Sequence, residues 1–389
     1  MNKICLFTAA FAVMASLSGC SDTELASIDT AQEKTPIGFH TVGSQMGSRA
    51  TIIDNSNLTD YSFNVYAFNR NDDDGSDGTV FMGINDESHN NNGVNISYKG
   101  GKWDYTTSTD LKYWPTGALN FYAVSPAKEP HLFSWQISQN SKEIKVTTFD
   151  EYKATDPDDI YKNVDVMYAI SKNQTKTLTN GGTVHMQFRH ILSQVAFKAR
   201  TETPDMKVTI KGIKIYNFYF SGTFTLPTTD DAPTRNNWSF PLEGGYTTNG
   251  FTAVKDKSID VGNTAISIST DEPMLFIPQE LKKWTTTAAS PRTTAQAKID
   301  KESYLEISCR IQQNGTYLFG KNDFETLYVP FSAIWEPGKR YVYTLIFGGG
   351  YDKDGKPILT PVNFTASAEN WNEDDGNSTN GNDKVTQLQ

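Results

Sequence analysis

The stretch Phe63-Asn64-Val65-Tyr66-Ala67-Phe68, which runs through Asn69 and Arg70 into Asn71-Asp72-Asp73-Asp74-Gly75, sets the reading of the whole chain. Phe63, Val65 and Ala67 recur at every second residue. That is the period at which side chains of an extended strand share one face, whereas a helix repeats every 3.6 residues. The run then breaks in Asx residues and a glycine, which favour tight turns through local hydrogen bonds and a permissive φ. The same unit returns along the chain. Leu111-Lys112-Tyr113-Trp114 meets the turn Pro115-Thr116-Gly117, and Leu119, Phe121 and Ala123 follow. Ile37, Phe39 and Thr41 share a face of a short extended stretch, Trp103 and Tyr105 form another pair, and Val184, Met186 and Phe188 alternate. Val208 and Ile210 alternate too, and Gly212 then shifts the phase to Ile213 and Ile215, which predicts a β-bulge. Further apolar runs occupy 166–170, 274–277, 305–311, 327–331, 340–347 and 362–368. Helical spacing is rare; one helical turn is expected within 188–199, before Val195-Ala196-Phe197.

Many short strands between turns predict an all-β protein of sandwich type, and an aromatic share of 12% suits it because strands favour Tyr, Phe and Trp. A chain of 389 residues has room for two such domains. Their boundary is expected in the turn-rich 177–182, which ends in Asn180-Gly181-Gly182. No repeat of 20–50 residues stands out.

The amino terminus reads as an export signal. Lys3 precedes an apolar run from Ile4 to Leu17, shorter than the roughly 20 residues that span a bilayer. The run ends in Leu17-Ser18-Gly19-Cys20, which resembles a lipobox, so residues 1–19 are expected to be a signal peptide and Cys20 the acylated residue. Residues 21–35 read as a polar tether. Ser21-Asp22-Thr23-Glu24 resembles a surface-export signal of Bacteroidetes lipoproteins, or is a solvated linker. Asp29-Thr30-Ala31 resembles a short O-glycosylation acceptor of those bacteria. Cys5 leaves with the signal, so Cys20 and Cys309 remain and no disulfide framework is available. Cys309, inside an apparent strand, reads as a small buried hydrophobe.

A net charge of −10 argues against nucleic acid as a partner, because phosphate binding needs a concentrated basic surface. Five histidines and no paired Cys/His spacing give no metal signature, and no cofactor motif is present. Ser, His and Asp are scattered without a nucleophile elbow, so no catalytic residue is assigned and no enzyme is expected. Asp72-Asp73-Asp74-Gly75 and Asp352-Lys353-Asp354-Gly355 have carboxylates clustered as a calcium loop would, yet neither has the bidentate Glu at EF-hand spacing, and Asx-rich hairpin loops look the same. Trp103, Trp114, Trp135 and Tyr113 read either as a sugar-stacking platform or as core. Arg49-Ala50 closes the small-residue stretch Gly43-Ser44-Gln45-Met46-Gly47-Ser48, which reads as an exposed site for a trypsin-like protease or as an ordinary surface loop.

Together these features resemble the fimbrillin-like family, the type V pilus subunits of Bacteroidales. The resemblance is carried by the lipobox at Cys20, Pro36-Ile37-Gly38-Phe39, Ser48-Arg49-Ala50, and Phe63-Asn64-Val65-Tyr66-Ala67-Phe68. It continues through Lys112-Tyr113-Trp114-Pro115, Leu119-Asn120-Phe121-Tyr122-Ala123 and Asp165-Val166-Met167-Tyr168-Ala169. Phe188-Arg189-His190-Ile191-Leu192-Ser193-Gln194-Val195, Leu275-Phe276-Ile277-Pro278-Gln279, Pro337-Gly338-Lys339-Arg340-Tyr341-Val342-Tyr343-Thr344-Leu345 and Ala368-Glu369-Asn370-Trp371 complete it.

The resemblance implies two tandem transthyretin-like β-sandwich domains after a lipoprotein signal peptide. The expected segments are a lipidated tether and propeptide at 20–49, an N-terminal sandwich at 50–181, a C-terminal sandwich at 182–371 and a polar tail at 372–389. It implies a lipoprotein held on the outer membrane through Cys20, cleavage between Arg49 and Ala50 by an arginine-specific protease, and strand exchange with other pilus subunits in a fimbrium. Adhesion to host or bacterial surface glycans or proteins would be the output. Shaft subunits of the family donate a C-terminal strand. Here only Lys384-Val385-Thr386-Gln387-Leu388-Gln389 follows a polar linker, so a shaft subunit with a short donor and a tip subunit are both open, and Arg49 argues against an anchor. The competing reading is a lipid-anchored surface glycan-binding protein that never polymerises; it predicts a retained lipid on Cys20 and an exposed aromatic cleft.

Overall fold

The chain is all-β. Among the described residues its α-helix is the six-residue Thr294–Ile299, started by Thr293, whose hydroxyl accepts the Gln296 amide hydrogen. The computed structural model describes residues 34–42, 53, 57–83, 93–127, 133–148, 165–203, 205–255, 258–269, 274–347, 349–359 and 363–370. Cys20, Arg49, Ala50 and the tail 372–389 lie outside the described residues.

The first half supplies strands β1 (Gly38–Val42), β2 (Phe63–Arg70), β3 (Asp77–Met82), β4 (Val94–Lys99), β5 (Lys102–Tyr105), β6 (Leu119–Ser125), β7 (Phe133–Ile137), β8 (Lys142–Thr147), β9 (Met167–Gln174), β10 (Thr183–Gln187) and β11 (Arg189–His190). Nine of them form one sheet in the order β10-β1-β5-β4-β2-β6-β9-β11, with β3 also paired to β2. Strands β10 and β11 are nearly contiguous in sequence yet sit at opposite ends of that order. The sheet must therefore fold round on itself, and its inner face closes over one apolar core containing Phe39, Phe63, Val65, Phe121, Val184 and Phe188.

The alternation in Phe63, Val65 and Ala67 marks this inner face. Tyr66 and Phe68, on the other face of β2, are also shut off from solvent and belong to a second core with Trp135, Ile144, Phe224 and Trp238. Covering that outer face is a four-stranded sheet of β7, β8, Ser221–Thr225 and Trp238–Ser239. Two of its strands come from the second half of the chain. Burial on both faces explains why β2 and β6 read as nearly continuous apolar runs. Residue 181, the expected boundary, precedes β10 and β11, both of which belong to the first sheet.

Farther along, β12 (Ser193–Thr201) runs parallel to Lys339–Phe347, which pairs in turn with Asn363–Asn370. Facing this sheet, β13 (Met206–Tyr216) pairs with Glu302–Gln313, and Glu325–Pro330 follows. Phe197, Tyr343 and Leu345 from one sheet meet Val208, Ile210, Ile307 and Leu327 from the other in a sandwich core. The register of β13 slips between Ile210 and Gly212, where the phase shift predicts a bulge. A Cβ at Gly212 would meet the Val254 carbonyl oxygen at 3.1 Å, so the bulged strand runs close to its neighbour there. The helical turn expected within 188–199 does not form. Arg189–His190 and Ser193–Thr201 are strands, because eight pairings with Lys339–Phe347 satisfy the backbone of β12 and outweigh any local preference.

Candidate functional site

The apolar pair Ile37 and Phe39 builds the site. Both side chains point into the first core and are 1% and 5% exposed, while His40 between β1 neighbours faces solvent. Phe39 is the anchor. Its ring meets those of Phe63, Tyr105 and Phe121 at centroid distances of 6.2, 5.9 and 6.2 Å, each in an edge-to-face arrangement that aromatic quadrupoles favour.

The backbone of β1 is held unequally on its two sides. Toward β10 it pairs in parallel over five residues, Gly38 with Thr183 through Val42 with Gln187. Toward β5 the register has one pair, Phe39 with Trp103. Just ahead of the strand, the Ile37 amide donates to the Lys112 carbonyl and the Gly38 amide to the Gly182 carbonyl, both at 2.9 Å. The Tyr105 hydroxyl donates to the Ile37 carbonyl at 3.1 Å. Burial pushes the Tyr105 phenol well above its ordinary range, so it stays a neutral donor.

Gly182 is the corner of the site. It has φ +99° at the end of Asn180-Gly181-Gly182, and its carbonyl also accepts the Trp114 indole N–H at 2.9 Å. A Cβ there would approach Thr35 Cγ2, the Pro36 oxygen and Trp114 Nε1 to between 2.9 and 3.0 Å. Only glycine tolerates both that φ and that contact. In Gly38 a Cβ would lie 3.2 Å from Thr183 Oγ1, so the parallel pair also approaches closely.

Beyond β1 a second fixed point follows. Ile53 is fully buried in the first core, and its amide donates to Asp165 Oδ2 at 3.0 Å. The same carboxylate oxygen lies 2.8 Å from His190 Nδ1, with both side chains buried. Arg49 and Ala50 thus lie, in sequence, between β1 and Ile53, both of which contribute to the same core.

The remaining candidates resolve into structural roles. Asp74 Oδ1 accepts the Ser76 amide, and Asp352 Oδ1 accepts the amides of Asp354 and Lys356, all at 2.9 Å, so these carboxylates cap their own hairpin loops. Among the described residues no group of three or more His, Cys, Asp or Glu could hold a metal ion. Trp103 belongs to the first core and Trp135 to the second, where its indole donates to the Tyr66 hydroxyl at 2.8 Å. The four aromatics therefore share no platform. Cys309 is buried in the sandwich core, and burial pushes its thiol up to about 12.

Sequence reasoning placed Ile37, Phe39 and the alternating Val184, Met186 and Phe188. It missed that these two stretches pair with each other, and it missed the tie from Ile53 to Asp165 and His190. No local signal marks a parallel pairing across 145 residues.

The family profile described as fimbrillin-like matches residues 48–371. The chain belongs to the fimbrillin-like family. Fimbrium subunit Fim1C of Phocaeicola vulgatus is 24% identical over 320 residues, covering 71% of this chain and 78% of that protein. A crystal structure of a candidate cell adhesion protein from Bacteroides uniformis superposes with a TM-score of 0.42 at 13% identity, over 87% of this chain and 98% of that one. The C-terminally truncated tip fimbrial protein Mfa3 of Porphyromonas gingivalis gives 0.33 at 8% identity, over 80% of this chain and 94% of that one. Membership in the fimbrillin-like family makes this chain a fimbrial subunit.

Proposed function

We propose that this fimbrillin-like chain is a shaft or tip subunit exported as a lipoprotein through Cys20, cut after Arg49 and joined to its neighbours by donor-strand exchange, with adhesion as the output. Before the cut it resides on the outer membrane surface, and after it in the fimbrium. Its two sandwich-type halves act as tandem domains that meet near 188–193.

The observation that carries this reading is β1. It precedes Arg49 in sequence, and a buried aromatic and five parallel pairings hold it between β5 and β10. A cut after Arg49 severs β1 from the rest of the chain, while the buried Ile53 and its bond to Asp165 retain the new terminus. Loss of β1 would leave β10 and β5 with unpaired backbone groups and the pocket of Phe39 open, a sticky and costly state. A strand from another subunit relieves it by β-augmentation, with alternate side chains entering the vacated positions. Such a contact is head-to-tail and extends into a filament.

N-terminal sequencing of the protein recovered from cells tests the route. A mature terminus at Ala50 supports it. Lipidated Cys20 with no shortened form would count against it and favour a permanently anchored binding protein.

A further inference from the structure

His40 and His185 are register partners across the parallel pair of β1 and β10. Their rings lie 5.2 Å apart, centroid to centroid, at 75° to one another, and both residues face solvent. The chain has five histidines in 389 residues, and two of the five occupy directly opposed positions on the paired strands β1 and β10. On the neighbouring β5, Lys102 and Asp104 pair with each other at 3.0 Å.

From this geometry we infer that His40 and His185 chelate a first-row divalent transition-metal ion and so bridge β1 to β10. Imidazole nitrogens suit Cu²⁺, Ni²⁺ and Zn²⁺, with bond lengths of about 2.0–2.1 Å for zinc. Two such bonds at a tetrahedral angle place the nitrogens about 3.3 Å apart. The rings stand 5.2 Å apart, centroid to centroid, so closing on an ion requires rotation of the two exposed side chains. Backbone pairing fixes both Cα positions, so little ordering is required on binding. Among the described residues no third His, Cys, Asp or Glu completes the set, and the other coordination positions belong to water. Calcium and magnesium, which prefer oxygen ligands, do not compete. Because the ion grips β1 itself, it staples the strand in place; this consequence rests on the strand-release reading above, whereas the metal site does not.

Titration calorimetry of the full unprocessed chain with nickel and zinc chlorides tests the site. The expected result is one ion per chain, with no heat from calcium chloride. His40→Ala and His185→Ala should each weaken binding about tenfold or more, while His131→Ala leaves it unchanged. Metal-free melting curves matching the parent show that the variants are folded, since neither side chain is in the core. Absence of binding, or binding that survives both substitutions, overturns the site. Cleavage of the loaded chain with an arginine-specific protease then tests the staple: nickel should slow loss of the N-terminal fragment that ends at Arg49 on size exclusion. Equal loss with and without bound nickel overturns the staple. A fragment that never leaves the metal-free chain counts against strand release and leaves the metal site standing on its titration.

Discussion

His190 Nδ1 lies 2.8 Å from Asp165 Oδ2, and the same oxygen accepts the backbone amide of Ile53. One buried carboxylate therefore ties the end of the first sheet at β11 to the segment that immediately follows the proposed cut. Asp165→Ala would strip a partner from two buried groups at once. It should lower the unfolding free energy by about 2–4 kcal/mol, read from urea denaturation. Hydrogen exchange at Ile53 should rise with it; an unchanged Ile53 amide would mean that the tie is not what holds this segment.

Phe39→Ala removes the anchor ring of β1. In the unprocessed chain the cavity should cost about 3–5 kcal/mol. Once the chain has been cut and β1 has left, the same substitution should have no effect. Thermal unfolding of both forms gives the comparison, and an equal loss in the two would show that β1 stays.

Gly182→Ala forces a Cβ into φ +99° and against Thr35, Pro36 and Trp114. A loss of about 1–3 kcal/mol is expected from the backbone conformation alone, and more if the contacts cannot relax. The readout is local: faster exchange of the Gly38 amide and the Trp114 indole hydrogen, with the second-half sandwich unchanged.

Cys309 should be inert to alkylating reagents in the native state and should react on unfolding, because burial holds its thiol protonated up to about 12. The folded protein therefore keeps a proton that the unfolded thiol loses near 9. The stability this contributes is fully present below pH 9 and is lost as pH rises from about 9 toward 12. Cys309→Ala should flatten that part of the stability curve.

Arg49→Ala should yield a folded monomer that retains β1. If such a variant still polymerised, strand release would not be the step that permits assembly.

Period-two alternation around Phe63, Val65 and Ala67, the glycine shift at Gly212 and the apolar setting of Cys309 were legible because each depends on neighbours a few residues away. The sequence by itself thus determined an all-β chain, most of its strands and the family. Tertiary structure alone decided three further things. Tyr66 and Phe68 are buried because strands from 221–239 cross over to cover β2. The 188–199 stretch is strand because Lys339–Phe347 pairs with it. Finally, β1 lies beside β10, which brings His40 to His185 and Gly38 to Gly182. Backbone donors and acceptors are the same at every residue, so a strand carries its own facing pattern but not the address of its partner. That address is set by which cores close together.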